Sequence, residues 1–189
     1  MDTIKSSKEE LEWEIERAKL CENAALGIAT INLKVLEPQL VFQEFNPTRK
    51  LQDNLLRKIS KSIESGECRA GSNPLVVAID VSHVNAQTLK STYDEKKQLP
   101  SLPPAEIDSD AKVFVLAGLH RIKAVTKATG VLEDKLANLR KRGSSGQQLP
   151  GAADKIGEVE GLIRRAQTWP TRFYDLSESQ IACRGGARR

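Results

Sequence analysis

Apolar residues at Leu11, Ile15, Ala18 and Leu20, with Glu, Lys and Arg between them, recur at the spacing of one helix face. Ser7-Lys8-Glu9-Glu10 ahead of them has the form of a capping box. The pattern predicts an amphipathic helix over 7–27, the N-terminal helical extension of a domain that begins near residue 31. Its polar face is acidic, which suits packing on the domain or on a second copy of the chain better than lying on a membrane. From 31 to 45 the period changes to two. Ile31, Leu33 and Val35 predict a strand over 31–36, and Leu40 and Phe42 a second short one after an interruption at Pro38. Asn46-Pro47-Thr48-Arg49 has turn composition, after which Leu51, Leu55, Leu56, Ile59 and Ile63 predict a helix over 51–65 closed by Gly66.

Asn73-Pro74 restarts the chain as a strand over 75–81. The polar, proline-rich stretch 82–110 reads as a long surface loop or flexible flap. The run Val113-Phe114-Val115-Leu116-Ala117 predicts a buried strand, and beyond Gly118 the residues Ile122, Val125 and Ala128 predict a helix ending at Gly130. Two further helices, over 132–142 and 153–167, form a helical insertion spanning 131–168 and are joined by a Gly/Ser/Gln/Pro linker. A last strand covers 171–176, and the tail 177–189 has no apolar period and is expected to be disordered. The elements together define an α+β domain over 31–176, a small mixed sheet with packed helices.

Composition narrows the partners. The 29 basic residues interleave with 25 acidic ones, so the net charge of +4 favours a local anion site over a broad nucleic-acid face. Aromatic residues are 4% of the chain, too few for the stacking platforms of single-strand binders. Cys21, Cys68 and Cys183 are odd in number and far apart, without zinc-ligand spacing, as expected of reduced thiols. No stretch is apolar enough for a signal peptide or a transmembrane segment, and an intracellular protein, cytoplasmic or nuclear, is expected.

The segment Ala117-Gly118-Leu119-His120-Arg121 concentrates the chemistry. A glycine between a buried strand and a helix lets the backbone approach a ligand while the first N–H groups of the helix and its positive dipole end face it. Arg121 adds a planar fork of donors suited to phosphate, His120 a donor or proton carrier near neutral pH, and Lys123 a charge one turn on. His83 has no partner at a telling spacing and reads as a surface residue, and Trp169 reads as a core residue at a strand start.

Four boxes in order, Asn46-Pro47-x-Arg49, Ser62-Ile63-x-x-Gly66, Pro74-Leu75-Val76-Val77 and Gly118-Leu119-His120-Arg121-Ile122-Lys123-Ala124, resemble the N-terminal domain of ParB proteins and its sulfiredoxin and free-serine-kinase relatives. The resemblance implies that Gly118, Leu119, His120, Arg121 and Lys123 hold the phosphates of a nucleoside triphosphate, ATP or CTP with Mg2+, with Asn46 and Arg49 beside the same pocket. In a kinase of this kind Glu44, with Glu37 behind it, would take the acceptor's proton, and His120 is the other catalytic candidate. Sulfiredoxins carry their catalytic cysteine immediately before the His-Arg pair. Leu119 stands there, which argues against sulfinic-acid reduction. ParB proteins carry two arginines in this box, and His120 replaces the first. The expectations are therefore an NTPase or small-molecule kinase on one side, and on the other a nucleotide-gated module without turnover that contacts DNA or protein and dimerises through the N-terminal helix.

Overall fold

Leu75, Val77, Ala78 and Ile79 are all buried, and the strand that carries them, β3 (Leu75–Ile79), lies in the middle of a five-stranded mixed sheet. The computed structural model describes residues 22–42, 51–68, 70, 73–90, 102–144 and 151–176. The other strands are β1 (Ala25–Asn32), β2 (Leu40–Phe42), β4 (Val113–Ala117) and β5 (Thr168–Asp175), in the spatial order β1-β5-β3-β4-β2. The pairs β1/β5 and β3/β4 are antiparallel, whereas β3/β5 and β2/β4 are parallel. A strand with neighbours on both edges and a core on its faces reads as a continuous apolar run, as Leu75-Val76-Val77-Ala78-Ile79 does.

The helices are α1 (Leu33–Leu36), α2 (Asp53–Glu64), α3 (Leu119–Ser144) and α4 (Ala152–Gln167). α2 packs on α3, and α3 on α4. Ile63 of α2 and Ile122, Val125 and Ala128 of α3 join the sheet residues in the main core with Trp169 and Phe173. A smaller cluster, Leu132, Val159 and Leu162, holds the far half of α3 to α4. Trp169 is buried, and its indole N–H donates to the Ala166 carbonyl at 2.7 Å. No helix among the described residues is long and apolar enough to cross a membrane.

Several expected boundaries move, each for a local reason. The strand expected over 31–36 runs instead over Ala25–Asn32, because the Asn32 side chain accepts the N–H groups of Lys34 (3.0 Å) and Val35 (3.3 Å) and turns the chain into α1. Leu33 and Leu36 point inward at helical spacing, and Val35 is left exposed. The helix expected over 7–27 lies outside the described residues except at its end, where Glu22 and Asn23 are helical and Ala25 is already strand. The tail 177–189 lies outside them too.

Gly130 does not end a helix. One continuous α3 replaces the two expected over 118–130 and 132–142, since the apolar stripe of Ile122, Val125 and Ala128 continues through Leu132, Leu136 and Leu139. An interior glycine costs about 1 kcal/mol relative to alanine, less than that burial returns. Nor are the described parts of the 82–110 stretch without structure. Ile28 and Lys90 exchange both backbone hydrogen bonds at 2.9 Å, Thr30 N–H donates to Pro103 O and Ala105 N–H to Thr30 O, so this segment covers the outer edge of β1.

A Cβ built at Gly130 meets nothing within 4 Å, and its φ is not positive. Gly130→Ala should therefore stabilise the protein by about 0.5–1 kcal/mol, read as a higher urea midpoint at unchanged slope. An unchanged or lower midpoint would show that Gly130 serves packing.

Candidate functional site

β4 ends at the exposed Ala117, and the chain turns through Gly118 at φ +110° into α3. A side chain cannot be placed there: a Cβ on Gly118 would stand 2.3 Å from Cδ2 of Leu75, which is fully buried in β3. The Gly118 carbonyl accepts the N–H groups of Arg121 (2.9 Å) and Ile122 (3.0 Å), closing the first helical turn. The N–H groups of Leu119 and His120 come before any carbonyl of α3 can reach them, so helix geometry leaves them without an intrahelical partner at the positive end of the helix dipole. The strand, glycine and helix expected from the sequence are all present.

The side chains of this turn engage protein partners. His120 Nε2 accepts the backbone N–H of Gln52 at 2.9 Å, which ties the start of α2 to the start of α3 and requires the neutral ring, with its proton on Nδ1. Arg121 donates through Nη1 to the Pro74 carbonyl (3.2 Å) and through Nη2 to Asn73 Oδ1 (3.1 Å), bracing the chain where it enters β3. Two of the guanidinium's five N–H donors are thus engaged. Exposed Lys123 places its ammonium 5.1 Å from the centroid of Phe42 in β2. Burial draws the Arg121 guanidinium below its ordinary value, opposed by Cys68, yet an arginine remains charged at neutral pH. Burial likewise pushes the Cys68 thiol up, and Arg121 pulls it back only in part.

Glu44, Asn46 and Arg49 lie outside the described residues. Glu37 is exposed in the turn Glu37–Gln39 ahead of β2. Sequence reasoning missed Gln52, Asn73 and Cys68 as neighbours of the box. Asn73-Pro74 was legible only as the restart of a strand, and nothing in the spacing of Gln52 or Cys68 relates them to residues about 50 to 70 positions away. His83, for which no partner is legible in the spacing, meets Asp108, 25 positions away, with Nδ1 to Oδ2 at 3.2 Å. The open groove between α3 and α4, about 570 Å³, shares no lining residue with the Gly118 turn, and four of its charged side chains pair with one another, as Lys34–Glu133 (2.6 Å) and Arg140–Glu160 (2.8 Å). A scan against protein-family models and searches of curated proteins and of solved structures return no match.

Two outcomes follow from this geometry. Gly118→Ala combines a disfavoured φ with overlap on Leu75 and should cost at least about 2 kcal/mol of stability by urea unfolding; a wild-type midpoint would disprove the close approach. The raised Cys68 leaves less thiolate near neutral pH, so peptide-mapped alkylation there should be slower than for glutathione and should accelerate only at higher pH. Reaction as fast as the free thiol would show that Cys68 is neither buried nor raised.

Proposed function

We propose that the chain is a nucleoside-triphosphate-binding domain of the ParB/sulfiredoxin type, taking ATP or CTP with Mg2+ at the turn from β4 into α3. The observation that carries this reading is the Gly118 turn, where a glycine with φ +110° joins β4 to the start of α3 and His120, Arg121 and Lys123 follow in its first turns. Backbone donors, a helix dipole, the guanidinium N–H groups that no described residue engages and an exposed ammonium are the kinds of donor that suit phosphate oxygens. The magnesium would arrive on the triphosphate, whose oxygens supply most of its ligands. Leu119 at the place of the sulfiredoxin nucleophile leaves phosphoryl chemistry, NTP hydrolysis or transfer to a small hydroxyl acceptor, as the enzymatic form of the reading.

A second reading, nucleotide binding without turnover in a module that contacts DNA, another protein or a second copy of the chain, draws support from His120. An imidazole whose Nε2 already accepts the Gln52 N–H must give up that bond before it can take a proton from an acceptor.

A thermal-shift panel of ATP, CTP, GTP and UTP with Mg2+, followed by titration calorimetry and product analysis, tests both. One triphosphate should bind. Arg121→Ala should weaken it by about 1.5–3 kcal/mol, roughly tenfold to a hundredfold. Lys123→Ala, at an exposed position, should weaken it without changing circular dichroism, which keeps the test sound if Arg121→Ala loosens the entry to β3. Product formation lost in His120→Ala with binding retained supports the enzyme, and binding without product in the parent supports the module. Absence of binding by any triphosphate or inorganic phosphate at millimolar concentration rejects both.

A further inference from the structure

At the end of the sheet opposite Gly118, three side chains with metal-binding atoms converge. His83 closes the turn Val81–His83 after β3, and Asp108 and Asp110 precede β4. One imidazole nitrogen and one oxygen from each carboxylate lie within 4.8 Å of one another. The two flanks that carry them are held in register by the antiparallel bridge of Val84 with Ile107, by Asn85 N–H to Glu106 O (3.0 Å) and by Asp108 N–H to His83 O (3.1 Å). Asp80 stands apart from the set, because its Oδ1 takes both the N–H (2.9 Å) and the hydroxyl (2.7 Å) of Ser82.

Two observations beyond this convergence point to a cation. Among the described residues His83 is the sole ion-pair partner of either aspartate, so two carboxylates face each other without a Lys or Arg between them. Gln39, meanwhile, lies against the same turn, its Nε2 donating to the Ser109 carbonyl at 3.1 Å between the two aspartates in sequence. Its Oε1 is buried and has no hydrogen-bond partner among the described residues. A buried amide oxygen without a donor is costly, and a cation or a water held on one would satisfy it.

We propose that His83, Asp108 and Asp110 bind a divalent first-row transition-metal ion such as Zn2+. Donors around an ion with bonds of about 2.1 Å stand about 3–4 Å apart, so small side-chain rotations close the set. One imidazole with two carboxylates suits Zn2+, Co2+ or Mn2+ better than Mg2+ or Ca2+, which favour oxygen ligands alone. Three protein donors leave at least one coordination position open. Because Val76 pairs with Ala117 and Ala78 with Phe114, the cluster and the Gly118 turn lie at opposite ends of the β3/β4 pair. The ion is therefore separate from the magnesium of the proposed nucleotide, and its first effect is to clip the two flanks of the 84–107 segment together.

The test uses Co2+ and Zn2+ on the full chain. One equivalent of Co2+ should bind with weak visible bands and no thiolate charge-transfer band, and calorimetry should give micromolar Zn2+ affinity. His83→Ala and Asp110→Asn should each lower that affinity by about tenfold or more, with unchanged circular dichroism. His120→Ala should leave it unaltered, which keeps the outcome independent of the nucleotide reading. Thiolate charge transfer, affinity unaffected by the His83 and Asp110 variants, preference for Mg2+ over Zn2+, or no binding at millimolar metal would each overturn the assignment.

Discussion

The contact on which the described structure turns is the passage of Gly118 over Leu75. Gly118 packs so closely on the buried Leu75 side chain of the central strand that a Cβ added there would stand 2.3 Å from Leu75 Cδ2. That approach sets the path of α3 across the sheet. It also puts Arg121 within reach of Pro74 and Asn73, at the entry to β3, and His120 within reach of Gln52, at the entry to α2. One glycine thereby coordinates three element starts, and the residues around it bind the fold together before they bind anything else.

This internal use shapes the chemistry proposed for the turn. The backbone N–H groups at the head of α3 lack intrahelical partners whatever the side chains do, and they would be the fixed part of the proposed site. Arg121 is braced by Pro74 and Asn73, with part of its donor fork unengaged among the described residues, so it would meet the proposed anion already ordered, at little further loss of side-chain freedom. His120 is different. Its acceptor nitrogen serves α2, so any proton transfer there would be coupled to movement of the α2 start. The Gly118 turn and the His83 cluster use the two ends of one antiparallel strand pair, a separation that allows each to be altered without the other.

The described flanks of the 82–110 stretch show how an edge strand is managed. β1 pairs with β5 on one side only, and residues 90 and 103–105 satisfy backbone groups on its other side. Pro103 and Pro104, which read from the sequence as loop punctuation, cover an edge that would otherwise be open to pairing with another chain.

The sequence by itself determined the elements whose signals are local. The run 113–117, the helices expected over 51–65 and 153–167 and found at Asp53–Glu64 and Ala152–Gln167, the strand from 75 and the strand-glycine-helix turn at 118 all follow from apolar period and turn chemistry read over a few residues. It misplaced β1, where one Asn32 side chain outbid an alternating pattern, and it divided α3 at Gly130, where burial of Leu132 and Leu136 outweighed a small glycine cost. Only the tertiary structure decided that Arg121 braces Asn73 and Pro74, that His120 meets Gln52, and that His83, Asp108 and Asp110 share a corner. Those contacts join residues tens of positions apart through strand pairing, and a pairing register is set by the packing of whole strands, a quantity that no window of neighbouring residues contains.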